Sequence, residues 1–179
     1  RPRSRWRLDQ RAALSMTSNA SLNRSAALAS IAVALLLVGL KAWAAWSTGS
    51  TAMLGSLADT VLDLVASLAT LIGVWVAAQP EDENHRFGHG KAEALAAMFQ
   101  VVLISISALS LAARAVQQWL GGARPDGANE GIAVSVIAMV ATLGLLAWQR
   151  HVIGKTGSLA ISTDHVHYQS DLLLNLAVI

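Results

Sequence analysis

Four stretches of this chain, residues 25–46, 52–78, 92–119 and 131–149, are apolar over a length that would cross a membrane. As helices they span the roughly 30 Å hydrocarbon core of a bilayer, which needs about 20 apolar residues. A fifth stretch starts near residue 159 and runs to Ile179, within the apolar run LLLNLAVI. Lipid offers no hydrogen bonds to the backbone, so such a segment must pair its own amides, and the helix does so. A soluble helical bundle would need a polar face on each helix, and the first and fourth segments show none. The composition agrees: 54% of the residues are hydrophobic and 13% charged, against about 25% charged in ordinary soluble domains. The expected fold is therefore all-α: a polytopic membrane protein built as a transmembrane helix bundle.

Charge sets the expected orientation. Arg1, Arg3, Arg5, Arg7, Arg11 and Arg24 precede the first apolar segment, although the whole chain carries only +2. Such a basic arm could serve a nucleic acid, but ahead of a hydrophobic helix it marks a cytoplasmic side. The apolar run is too long for a signal peptide, and no small-residue cleavage site follows. Arg86 and Lys91 lie between segments two and three, and Arg150 and Lys155 between four and five. The connection STGST is uncharged, and the turn-rich GGARPDG at 121–127 holds only Arg124 as a cation. The N-terminus and the even-numbered connections thus read as cytoplasmic, with residues 1–24 a basic cytoplasmic segment and 25–179 the transmembrane domain. Trp43, Trp46 and Trp119 fall near the presumed outer ends, where they suit interfacial anchoring, as do Trp75 and Trp148 near the ends of theirs. Pro80 and Pro125 punctuate the connections. The chain stops inside an apolar run and reads as a fragment of a longer protein.

Polar residues within the apolar segments carry the functional reading. Asp59 and Asp63 sit four apart in the second segment, and His167 and Asp171 four apart in the fifth. Residues at that spacing share one helix face. A carboxylate near a bilayer centre costs about 2.5–3.5 kcal/mol on insertion scales, so two such pairs call for an occupant. At ~1.5 Å per residue, Asp63 stands about 22 Å from the inner end of its helix and His167 about 12 Å. Antiparallel packing would then bring three carboxylates and one imidazole together. The chain has no cysteine, so a metal site here must use oxygen and nitrogen. Four such ligands suit a tetrahedral divalent ion, zinc first, with Fe(II), Cd(II) and Co(II) alternatives. A proton relay without metal is a second reading. Lys41 and Arg114 lie nearer the outer ends of their segments, where snorkelling accounts for them.

The connection QPEDENHRFGHGKAE, 79–93, places Asp82, His85 and His89 three and four residues apart, with Glu81 and Glu83 adding negative charge. If tightly folded, it could form a second divalent site, although a solvated loop is the plainer reading. His151 and His165 read as packing or helix-end residues.

At these motifs the sequence resembles the cation diffusion facilitator family, in particular its bacterial zinc and ferrous-iron efflux branch. The resemblance runs from about Arg24 to Ile179 and rests on MLGSLADTVLDLVAS, on QPEDENHRFGHGKAE and on HYQSD at 167–171. It implies that Asp59, Asp63, His167 and Asp171 form an intramembrane transport site. It also implies that Asp82, His85 and His89 form a second, cytoplasmic-loop site, and that Lys91 takes part in a charge interlock near a dimer interface. Six transmembrane helices, a cytoplasmic metal-binding domain and a homodimer are further implications; five of those helices fall within this chain.

The function expected is a secondary transporter, not an enzyme: a divalent metal cation/proton antiporter exporting zinc, Fe(II), Cd(II) or Co(II) from the cytoplasm across a bacterial inner membrane. Zn(2+) or a similar ion is then cargo rather than catalytic cofactor, and the partners are metal cations, protons, lipid and a second copy of the chain, with no nucleic acid. A non-metal proton-coupled carrier or a channel remains the alternative. An intramembrane zinc protease would need a catalytic Glu beside a metal-binding His, and no HExxH occurs. His167 argues against a manganese site, which favours all-oxygen ligation.

Overall fold

Five helices account for the fold. The computed structural model describes residues 3–49, 51–83, 85–121 and 128–178. The helices are α1 (Arg3–Thr48), α2 (Thr51–Ala77), α3 (Lys91–Gly121), α4 (Ala128–Thr156) and α5 (Leu159–Val178). Ser50, Asn84 and most of the stretch 121–127, with Arg124 and Pro125, lie outside the described residues. The expected all-α membrane bundle is what forms. Within α1 to α4, the stretches Ser18–Ser47, Met53–Ala77, Lys91–Gly121 and Ala133–Thr156 are long and apolar enough to span a membrane. The helix α1 starts at Arg3, well ahead of the apolar segment, so the basic N-terminal stretch continues the first helix.

The interior is rich in small residues, alanine above all. Ala26, Ala27, Ser30, Ala34 and Leu37 of α1 are buried at the three- and four-residue spacing of one helix face. Val134, Ala138, Thr142, Leu145, Gln149 and Val152 repeat the pattern on α4, and Ala160, Ile161, Asp164, His167 and Tyr168 on α5. Leu35, Leu36, Ile72, Leu109, Val140 and Leu143 face outward. Lipid tails solvate Leu as well as a neighbouring helix does, so membrane helices associate through close backbone approach and polar contacts. Gly73 marks a close approach: a Cβ there would stand 2.4 Å from the Ala96 Cβ of α3. Trp43, Trp46 and Trp119 also face outward, as interfacial anchors would.

The helix α1 packs against α2 and α4; α2 also meets α3, and α5 lies against α4, α3 and α2. The start of α5 is tied down by Glu93 in the first turn of α3. Its Oε2 accepts from the Ser158 hydroxyl at 2.8 Å and from the Leu159 amide at 3.1 Å, while Oε1 accepts from Asn23 Nδ2 of α1 at 3.3 Å. A carboxylate at a helix N-terminus satisfies otherwise orphaned amides and favours the helix dipole. This junction also brings the 79–90 connection, the α4–α5 turn and the part of α1 near Asn23 to one end of the bundle.

Candidate metal centres

The helix α2 carries Asp59 and Asp63, and α5 carries His167 and Asp171. Contact between these helices brings three of the four together: one ligand atom each from Asp63, His167 and Asp171 lies within 4.8 Å of the others. His167 Nε2 stands 3.0 Å from Asp63 Oδ1 and 3.6 Å from Asp171 Oδ2. Two ligands held about 2.0–2.2 Å from one zinc ion at tetrahedral angles are about 3.3–3.6 Å apart. The observed spacings bracket that edge. His167 is buried, and its Nε2 makes no hydrogen bond of acceptable geometry among the described residues despite its nearness to Asp63. The three atoms are thus close enough together to share one ion.

These residues line a cavity of about 240 Å³. Leu37 and Lys41 of α1, Ser107 and Leu111 of α3, and Ala138 and Thr142 of α4 complete much of its wall. Lys41 does not snorkel as the sequence suggested. Its Nζ turns inward and donates to Thr60 Oγ1 at 2.6 Å.

Asp59 also lines the cavity but stands outside the three-residue group. It is gripped by Arg114, whose Nη1 donates to Oδ2 at 3.2 Å and Nη2 to Oδ1 at 3.3 Å. Arg114 therefore does not simply snorkel to the interface either; a carboxylate one turn from the ligand pair competes for its charge.

In the connection, Asp82, His85 and His89 also bring ligand atoms within 4.8 Å of one another. The Asp82 carboxylate accepts from the His85 amide at 2.6 Å, and its Oδ1 lies 3.1 Å from His85 Nδ1. Its Oδ2 is 3.6 Å from His89 Nε2, and the two imidazole rings stand 4.4 Å apart. Gly88, at φ 74°, turns the chain between the histidines, and its amide returns to the His85 carbonyl. The loop is thus folded tightly rather than merely solvated, although Asp82 and His85 stay half exposed. Lys91 opens α3 beside it and is exposed, with no ion pair among the described residues. His151 stacks on Trp148, a packing role as expected.

One cluster escaped the sequence reading. Asp164, fully buried one turn before His167, accepts from Gln100 Nε2 on Oδ1 at 2.8 Å and from Gln149 Nε2 on Oδ2 at 2.7 Å. Its Oδ2 also accepts from the Ser30 hydroxyl. Tyr168 OH donates to the Ser30 carbonyl at 3.1 Å and lies 3.0 Å from Ser67 Oγ. Ser30 of α1 and Gln149 of α4, on helices dismissed for want of a polar face, are therefore turned inward. The available signal was each lone glutamine in an apolar run, together with an acid three residues before a candidate ligand.

Comparison with known proteins finds matches over most of the chain. Residues 27–179 match the cation efflux transmembrane domain. The chain is 43% identical over 173 residues to the cation-efflux pump FieF of Klebsiella pneumoniae subsp. pneumoniae, an alignment covering 97% of this chain and 53% of that protein. It is 44% identical over 154 residues to the FieF pump of Salmonella arizonae, covering 86% and 51%. For the FieF pump of Pectobacterium carotovorum subsp. carotovorum the identity is 46% over 154 residues, again covering 86% and 51%. The chain spans about half the length of these relatives.

Proposed function

This chain belongs to the cation diffusion facilitator family, and from that premise we propose that it is the membrane part of a transporter that exports a divalent metal cation from the cytoplasm in exchange for protons. The observation that carries the reading is the convergence of Asp63, His167 and Asp171 at ligand spacing inside a membrane bundle. Asp59 completes the set as fourth ligand. Two or three oxygens with one imidazole suit zinc, Fe(II), Cd(II) or Co(II), and zinc prefers the tetrahedral arrangement the spacings bracket.

Proton exchange follows from shared ligands. A metal ion binds deprotonated carboxylate and neutral imidazole, so its entry displaces any protons those groups carry. If the same site faces each side in turn, metal leaves outward as protons arrive, and protons leave inward as the next ion binds. Coupling then needs no second pathway.

The positive-inside rule and the shared end of the basic connections support an orientation with the N-terminus, Arg86 and Lys155 cytoplasmic. The loop residues Asp82, His85 and His89 then form a second ion site on the side from which cargo comes. Location in a bacterial inner membrane, and a homodimer with Lys91 near its interface, belong to the same reading.

The test is zinc flux into liposomes holding the reconstituted protein, with an imposed pH gradient. Zinc should accumulate against its own gradient only when protons can move the other way, and Asp63→Ala should stop it. Downhill zinc movement indifferent to the pH gradient would sink the exchange mechanism.

A further inference from the structure

Asp59 is assigned above as the fourth ligand, yet its carboxylate is engaged on both oxygens by the Arg114 guanidinium. Held there, Asp59 stands outside the group formed by Asp63, His167 and Asp171. Joining that group draws its carboxylate away from Arg114, and an ion of charge +2 arriving beside it repels that guanidinium. We propose that Arg114 is an internal competitor of the metal ion: it holds Asp59 away from the transport site and takes it back when the ion leaves, lowering affinity and hastening release.

The local structure is built for this grip. Asp59 lies one turn after Gly55 on α2, so the two share a helix face. A Cβ at Gly55 would stand 3.0 Å from Arg114 Nη1. A side chain at Gly55 would therefore crowd the guanidinium where it reaches both oxygens. Paired, fork-like bonds between guanidinium and carboxylate are directional and stronger than neutral hydrogen bonds. Lys41, the cation that lines the cavity itself, is committed differently: its Nζ donates to Thr60 Oγ1. Arg114 is therefore the group whose partner must change if Asp59 binds an ion. The pair is also partly exposed, with side-chain accessibilities of 44% for Arg114 and 31% for Asp59.

The inference rests on the transport-site reading, and its test keeps the two apart. Zinc binding is measured by titration of Zn(II) into the full chain in lipid nanodiscs. The background is His85→Ala with His89→Ala, so the loop does not contribute. Asp63→Asn and His167→Ala test the site itself: zinc affinity independent of both removes the site reading. If both weaken binding, the site stands and Arg114 is judged by a double-mutant cycle. Arg114→Gln should bind Zn(II) about three- to tenfold more tightly, the reach of a partly exposed ion pair. In proteoliposomes it should lower KM and kcat together. In an Asp59→Asn background, Arg114→Gln should change the affinity by less than about twofold. Gly55→Ala is an independent perturbation that crowds only the end of a flexible side chain, and it should tighten zinc in the same direction by a smaller factor.

An unchanged or weakened affinity in Arg114→Gln overturns the proposal and leaves the pair a tie between α2 and α3. Equal tightening with and without the Asp59 carboxylate also overturns it, because Arg114 would then act through general repulsion. If Arg114→Gln fails to fold, Gly55→Ala decides: zinc affinity equal to or weaker than that of the background sinks the inference.

Discussion

The two ion-binding candidates use the same side chains in different ways. Asp82, His85 and His89 come from one short loop, and their spacing is set by an aspartate turn and a glycine with φ of 74°. Asp63, His167 and Asp171 come from two helices far apart in sequence, and their spacing is set by how α2 and α5 pack. A loop site can form wherever its few residues fold. The membrane site exists only while the bundle holds its register, and a change in that register would alter it. A transporter needs that second property. A site that opens to each side in turn must be built across elements that can move against each other, whereas a site closed within one loop can only hold or hand over an ion.

Four perturbations bear on this contrast. The largest effect is expected from removing a membrane ligand: Asp63→Ala or His167→Ala should reduce zinc flux in proteoliposomes by about a hundredfold or more while the protein still inserts. Flux like the unmodified protein in both variants would remove the site from the transport path. Next comes the support behind it. Asp164→Ala strands Gln100, Gln149 and Ser30 without their shared acceptor, and should destabilise the bundle by about 3 kcal/mol, read as a lowered thermal midpoint in detergent. Asp164→Asn keeps some acceptors and should cost less; equal losses in the two would mean that the carboxylate's charge, not its hydrogen-bonding capacity, holds the four helices together.

A more selective change is His167→Asp, which makes the site all-oxygen. Competition assays should show Mn(II) gaining on Zn(II) by about tenfold. An unaltered metal profile would mean that the imidazole does not touch the ion. The smallest effect belongs to the loop. His85→Ala with His89→Ala should lower flux only about two- to fivefold and leave proton coupling intact, since an exposed site binds without the amplification of a low-dielectric surrounding. If this variant is as inactive as Asp63→Ala while still folded, the loop is an obligatory part of the path.

Much of this architecture is legible before any coordinates. Apolar length by itself marks four spans, because lipid leaves the backbone no alternative to the helix. A fifth, less apolar helix announces itself through the motif HYQSD. The candidate ligands are legible too, since acids and histidines have no ordinary reason to sit in a membrane segment and their four-residue spacing fixes a shared face. The loop cluster is readable because its geometry is local.

Tertiary structure alone decided which neighbour each polar group took. Asp59 and Asp63 are equivalent in spacing, yet one meets Arg114 of α3 and the other His167 of α5. Which of these it meets depends on how far each helix is rotated about its axis, and that rotation is set by packing at places such as Gly73 against Ala96. Lys41 could equally have reached the interface, but the bundle put Thr60 within its reach. Asp164 gained its role from Ser30, Gln100 and Gln149, which come from three other helices. A single helix specifies the face on which a residue lies. The residue that stands opposite is a property of the assembled bundle, because hydrogen bonds and ion pairs act over a few ångströms while the chain between their partners runs from 15 residues, for Gln149 and Asp164, to 138, for Ser30 and Tyr168.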